Sequence, residues 1–370
     1  MVEKHEFNKN KLGFGLMRLP RRGLGIDVKH TSSMVDKFLE AGLTYFDTAF
    51  VYPGSEVATK KALVDRYPRE KFTLATKLFA TAVPTEKAVK AEFETSLKRT
   101  GAQYFDYYLL HCLMKSNYEK YEDFHLWDFV KEEKEKGRIK HYGFSFHDGP
   151  ELLDKILTEH PDVEFVQLQI NYADWEDESV QSRANYEVAR KHNVPIVIME
   201  PVKGGKLANP PKEIKKLFND YNKDASYASW AIRFAASLDG VLAVLSGMSN
   251  NAQMEDNLSY MKDFKPLNEE EMEIIRKAQQ ILKTSKEIPC TACRYCVEGC
   301  PKQIPIPDIF AARNKQLGFG QVEEGKKCFK EAIEGKGAPS DCIKCGKCQG
   351  VCPQQLKIID LLQECNEALN

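Results

Sequence analysis

Eight short apolar strands alternate with helical patterns between Lys11 and about residue 265, which predicts an α/β chain beginning with a closed TIM (β/α)8 barrel. A second observation is the placing of cysteine: every one except Cys112 follows Glu287, so a smaller domain of different chemistry comes after the barrel. The third is length, since 370 residues allow roughly two domains with a sizeable core. The expected boundaries are residues 1–265 for the barrel, 266–284 for a connecting helix and 285–370 for the cysteine-rich domain.

The elements follow in order. A glycine-containing strand at Lys11–Leu16 leads to a helix at Thr31–Ala41, stopped by Gly42. The strand Tyr45–Phe50 is apolar apart from Asp47 and Thr48, and Pro53-Gly54-Ser55 then turns the chain into a helix reaching Tyr67. Strand Phe72–Leu78 precedes a helix at Thr85–Arg99 closed by Gly101, and strand Tyr104–Cys112 precedes one through Trp127 to Lys136 closed by Gly137. Further strands fit Ile139–Phe146, Phe165–Tyr172, Pro195–Pro201 and Val241–Met248, with helices around Leu152–Glu159, Val180–Lys191 and Tyr227–Leu238. An open doubly wound sheet is the competing architecture. It would want a G-x-G-x-x-G turn after an early strand, and Gly13-Phe14-Gly15 is too short a match.

Three consecutive strands end in Asp47, Lys77 and His111, with Tyr52 just beyond the first. In a parallel barrel those ends converge on the face where active sites are built. A free phenol, with a pKa of about 10, is too weak an acid to protonate an alkoxide-like oxygen efficiently near neutrality. An ammonium beside Tyr52 favours the phenolate and makes the phenol more acidic. Asp47 would hold Lys77 charged and in place, and His111 could donate to a carbonyl oxygen and orient the substrate. Such a set suits proton delivery to a carbonyl receiving a hydride, or the reverse oxidation.

In identity and order, Asp47, Tyr52, Lys77 and His111 resemble the catalytic tetrad of the aldo/keto reductases. That resemblance implies a nicotinamide cofactor, NADP(H) or NAD(H), bound without a Rossmann domain, and aldehyde or ketone substrates. It also implies cofactor-binding positions. Ser145, in Gly143-Phe144-Ser145-Phe146, matches a family serine whose usual following asparagine is absent here. Gln167 matches the glutamine that holds the nicotinamide carboxamide. Met199 stands where an aromatic ring usually stacks, and its polarisable thioether could substitute. Lys203 and Gly205, in Pro201-Val202-Lys203-Gly204-Gly205, could wrap the pyrophosphate with a cation and glycine amides, the competing reading being an ordinary turn. Asn257 matches the adenosine-end helix, whereas Gln253 replaces a frequent arginine, leaving NADPH and NADH both open.

Two cysteine runs carry the most specific signal. Cys290-x-x-Cys293-x-x-Cys296-x-x-x-Cys300-Pro301 recurs as Cys342-x-x-Cys345-x-x-Cys348-x-x-x-Cys352-Pro353. Each is the bacterial ferredoxin run for a [4Fe–4S] cluster, in which the fourth cysteine serves the other cluster. The expected assignment is Cys290, Cys293, Cys296 and Cys352 to one cluster, and Cys342, Cys345, Cys348 and Cys300 to the other. Zinc is the competing metal for paired C-x-x-C motifs. The long insert between the runs resembles the alpha-helical ferredoxins, which implies a mostly helical two-cluster domain. Together the parts resemble iron–sulfur aldo/keto reductases.

The formal charge of −1, with signs well mixed, offers no footprint for nucleic acid. No apolar run approaches a bilayer span, and the opening residues lack the apolar core of a secretory signal. Thiol-bound metal without such a signal points to the cytoplasm. The expected partners are a small carbonyl or alcohol and, where clusters relay electrons, a redox partner protein. Met17, Phe79, Cys112, Phe146 and Tyr172 are candidates for an apolar substrate mouth. Three functions fit these features: a nicotinamide-dependent carbonyl reductase with structural or sensing clusters, an electron-transfer reductase fed by a ferredoxin-like donor, and a non-catalytic redox-sensing or docking subunit.

Overall fold

The computed structural model describes residues 10–370 except positions 82, 285 and 320. Two compact units emerge. The first holds residues up to Asp177, then Gln181–Pro201 and Ala228–Met272; the second holds Glu178–Val180, Val202–Tyr227 and Glu273–Asn370.

In the first unit eight parallel strands close into a barrel in sequence order: Leu12–Gly15, Tyr45–Asp47, Thr73–Leu78, Phe105–Leu113, Ile139–Phe146, Phe165–Gln169, Ile196–Met199 and Val241–Ser246. Alternation along each strand decides what faces the interior. One buried interior layer comprises Tyr45, Ala75, Tyr107, Leu109, Phe165, Val197, Ala243 and Leu245. Two residues further along their strands, the same faces carry Asp47, Lys77, His111, Gln167 and Met199. The barrel is therefore apolar at depth and polar at the carboxyl ends of its strands.

Glycine makes room for this filling. A Cβ on Gly143 would lie 2.1 Å from the Phe165 carbonyl oxygen and 2.9 Å from its ring. Side-chain absence at one strand is what admits the large ring of the next.

Helix ends follow local chemistry. Asp27 accepts from the His30 N–H to cap Val28–Glu40, and Thr85 accepts from the Ala88 N–H to cap Glu86–Thr100. Left-handed Gly101 ends the latter. At the start of Glu269–Lys283 the Asn268 N–H donates to the Glu271 carboxylate and the Glu271 N–H to Asn268 Oδ1, and Glu271 also binds Arg233 through both carboxylate oxygens.

Some boundaries differ from the sequence expectation. The helix expected at Ser55–Tyr67 is α-helical only over Ser55–Thr59, and Lys60–Val64 continues it as a π-helical turn. Ser55 does not cap it. Left-handed Gly54 holds that position, and the Ser55 hydroxyl instead donates to the Leu16 carbonyl at 3.0 Å. The strand expected to reach Phe50 ends at Asp47, after which two turns, Tyr52 N–H to Ala49 and Ser55 N–H to Tyr52, fold the chain back.

The second unit is mostly helical, with Lys212–Tyr221, Ile306–Phe319, Val322–Ile333 and Ile358–Leu369 as its longer helices. Pro307 is tolerated in the first turn of Ile306–Phe319, where the N–H it lacks would have no partner in the helix. Backbone conformation repeats with the cysteine runs. Left-handed residues fall at Ala292, Arg294 and Gln303 after Cys290, and at Lys344, Gly346 and Gln355 after Cys342. Ile304, Ile306, Phe310, Ile358 and Leu362 form the buried core between the two copies.

Candidate active site and cysteine cavities

At the polar end of the barrel the structure brings Asp47, Tyr52, Lys77 and His111 together. Lys77 Nζ donates to Asp47 Oδ1 at 2.6 Å and to the Thr48 carbonyl at 2.7 Å. Both charged groups are buried, Lys77 to 1% exposure and Asp47 to 3%. Burial pushes the Asp47 carboxyl up and the Lys77 ammonium down, and each supplies the main opposing influence on the other. Gln167 Nε2 donates to the second Asp47 oxygen at 3.4 Å.

Lys77 Nζ also lies 5.0 Å from the centroid of the Tyr52 ring. The half-buried Tyr52 ring meets His111 edge-on at 6.0 Å, and Phe79 also packs edge-on against His111 at 5.6 Å. Burial, with Lys77 and His147 adding repulsion, holds the His111 imidazole well below its usual range. A neutral imidazole donates one N–H without carrying charge into the site.

Behind these groups stand buried supports. Glu56 accepts from Thr76 at 2.9 Å and pairs with Arg99 at 3.4 Å. Thr48 and Ser55 hydroxyls meet at 2.7 Å, bracing the loop that carries Tyr52. Cys112, straight after His111, takes a left-handed φ of 61° where the strand register slips, and its N–H donates to Ser145 Oγ at 2.7 Å.

Asp174 was not evident from the sequence. Its buried carboxylate accepts from Gln169 at 2.8 Å and Asn171 at 2.7 Å, which fixes the wall beyond Gln167. An aspartate five residues past a strand glutamine carries no local signal. Arg18 likewise carries no local signal: it pairs with Glu200 at 3.7 Å, and Ser249 donates to its carbonyl at 2.7 Å.

The other sequence candidates are placed as follows. Ser145 and Gln167 are buried on the barrel wall and Met199 is half-buried. Asn250 caps Asn251–Met261 by accepting from the Gln253 N–H at 2.9 Å, while Gln253 Oε1 accepts from the Ser249 N–H at 2.7 Å. Buried Asn257 accepts from the Tyr260 hydroxyl at 2.8 Å. Lys203 and Gly205 fall in the second unit, in left-handed backbone. Phe146 and Tyr172 do not line a mouth: both are fully buried, edge-on to Phe144 and Phe234, Phe146 because it sits on an outward-facing strand position and Tyr172 in the turn beyond Phe165–Gln169.

In the second unit eight thiols divide between two cavities. Cys290, Cys293, Cys296 and Cys352 line one, and Cys300, Cys342, Cys345 and Cys348 line the other. Among the described residues no three His, Cys, Asp or Glu side chains gather as around a single ion. Burial pushes the Cys290, Cys296 and Cys352 thiols up, and the Cys348 thiol to about 11. A thiolate there calls for a cationic occupant. The Ala292 N–H points at Cys290 Sγ at 3.4 Å, as in the backbone nests that receive iron–sulfur groups.

A buried ion pair beside a phenol at the carboxyl end of a parallel barrel is an arrangement suited to proton transfer. Residues 11–280 match the aldo/keto reductase family, and residues 289–359 match a 4Fe-4S dicluster domain. The chain belongs to the aldo/keto reductase family. A 9,11-endoperoxide prostaglandin H2 reductase of Trypanosoma cruzi is 28% identical over 264 residues, covering 69% of this chain and 86% of the relative. An aldo-keto reductase of Mycobacterium avium is 28% identical over 263 residues, covering 70% and 85%. Among solved structures, the holo form of an aldo-keto reductase from Bacillus halodurans shares 25% identity at a TM-score of 0.59, over 72% of this chain and 91% of that one. An aldo-keto reductase from Klebsiella pneumoniae in complex with NADPH shares the fold at a TM-score of 0.58 and 19% identity, over 73% and 91%.

Proposed function

We propose that the barrel reduces an aldehyde or ketone, or oxidises the corresponding alcohol, with NADP(H) or NAD(H). One observation carries this reading: Lys77 Nζ stands between the Asp47 carboxylate and the Tyr52 ring, at 2.6 Å from the first and 5.0 Å from the centroid of the second. A half-buried phenol beside a buried ammonium is poised to release its proton to an oxygen gaining negative charge.

The nicotinamide, when bound, supplies or accepts the hydride. The residues present fit it, since buried Ser145 and Gln167 present hydrogen-bonding groups on the same barrel wall as Asp47. Tyr52 Oη protonates the substrate oxygen. Lys77 stabilises the phenolate left behind, and Asp47 balances Lys77. His111, kept neutral by burial, donates a hydrogen bond to the same oxygen. Apolar Phe79 beside His111 limits water at the reacting centre. Met199 would face the nicotinamide, and Gln253 and Asn257 its adenosine end.

The two cavities fit [4Fe–4S] clusters held by Cys290, Cys293, Cys296 and Cys352, and by Cys342, Cys345, Cys348 and Cys300. Each cluster, when present, supplies a one-electron redox centre. The functional division is a barrel to residue 265, a linking helix over 266–284 and a cluster domain over 285–370, working in the cytoplasm. Among the described residues no helix is long and apolar enough to cross a membrane.

Anaerobic titration with NADPH and NADH tests the reading. Nicotinamide fluorescence should change saturably with one of them and a carbonyl substrate should then be consumed; no change with either would remove the barrel's enzymatic role.

A further inference from the structure

The two thiol cavities are not equivalent at the surface. Of the eight cysteines in the runs, Cys345 alone is exposed; Cys296 and Cys352 are buried and the rest are half-buried. Beside it Ile343 is 58% exposed, an apolar side chain with no cover. Exposed Lys302, Lys344 and Lys347 surround the same cavity or its loop. Among the described residues none of these three lysines has an ion-pair partner. Arg294, which lines the other cavity, pairs with Asp308 at 2.6 Å. From Asp341 to Asp360 the chain carries three lysines against two aspartates, which stand at its ends.

We propose that the face formed by Lys302, Ile343, Lys344, Cys345 and Lys347 docks an acidic one-electron carrier protein and passes electrons to or from the cluster held by Cys300, Cys342, Cys345 and Cys348. This rests on the cluster reading given above. An exposed apolar residue within unpaired positive charge is what a transient redox encounter uses: charge steers the approach, and a small apolar contact seats it. One electron leaves the carrier's reduced centre and one enters the oxidised cluster. No protein bond forms or breaks and no proton is required. The repeat itself sharpens the contrast, because Lys344 and Gly346 occupy the left-handed positions that Ala292 and Arg294 hold in the other copy.

The test uses the full chain, purified anaerobically, with iron and sulfide measured first. A protein without cubanes overturns the cluster reading and this proposal together. With cubanes present, cluster bleaching is followed by stopped flow using two reductants: chemically reduced plant-type ferredoxin, an acidic protein, and reduced methyl viologen, a small cation. The wild-type rate with ferredoxin should fall as salt rises. Lys344→Glu/Lys347→Glu should slow ferredoxin by about ten-fold or more while leaving viologen equally fast or faster. Equal slowing of both reductants, or none of either, contradicts docking at this face. Lys302→Glu, outside the cysteine run, gives the same readout should the double variant lose its clusters.

Discussion

Lys77 Nζ makes its two short hydrogen bonds to Asp47 Oδ1 and to the Thr48 carbonyl, at 2.6 and 2.7 Å, while lying 5.0 Å from the Tyr52 ring centroid. The ammonium is therefore anchored by one strand and presented to the loop that follows it. Its position beside the phenol does not depend on the phenol holding it.

Removing one partner of so buried a pair should be worse than removing both. Lys77→Met leaves the Asp47 carboxylate uncompensated and should destabilise the barrel by about 3–5 kcal/mol. Asp47→Asn/Lys77→Met should recover part of that loss. Urea unfolding followed by circular dichroism measures both, and a double variant less stable than the single one would contradict the coupling.

Acid should destabilise the barrel through its neutral histidines. Burial lowers His147 to about 4 and His111 well below its ordinary value near 6.5. Below pH 6.5 the unfolded chain takes up protons that the folded chain refuses, so stability falls as pH drops. For His147 that loss levels off near pH 4. His147→Asn should flatten the decline between pH 6.5 and 4 in thermal melts; an unchanged slope would show that other groups set it.

Cluster loading should follow the cavities rather than the order of the sequence. Cys300→Ser should deplete the same paramagnetic signal as Cys348→Ser, and Cys352→Ser the same signal as Cys290→Ser. Each variant should lose up to about four of eight irons. Pairing of Cys300 with Cys290 in such spectra would reassign the ligands.

Gly143→Ala should be costly despite its modest chemistry. The new methyl would meet the Phe165 backbone at 2.1 Å, which cannot yield as a flexible side chain does. A loss of about 1–3 kcal/mol is expected, as for overpacked cores. Gly143→Ala/Phe165→Leu should relieve the ring contact but not the carbonyl contact, and so recover little.

Much of this molecule was legible before its fold was known, for reasons visible in particular residues. Asp47, Lys77 and His111 stand out because charge interrupts apolar strands, and the strand spacing alone brings them to one end of a barrel. The cysteine runs are legible because ligand spacing is local. What depended on register was hidden. Cys112 adopts φ 61° and slips the strand pairing, which no residue type there announces. Phe146 and Tyr172 look like mouth residues by sequence position, but alternation turns Phe146 outward and a turn beyond the strand buries Tyr172. Asp174 collects Gln169 and Asn171 only because a loop returns to the strand, and that return is a tertiary fact.

Replacing Tyr52 by Phe, with iron content and cofactor binding measured in the same preparation, tests the central claim most directly. The expected result is a fall of about 10²–10⁴-fold in carbonyl turnover, with nicotinamide affinity and cluster content retained. Turnover at the wild-type rate in Tyr52→Phe would contradict it, since the proton would then come from another group.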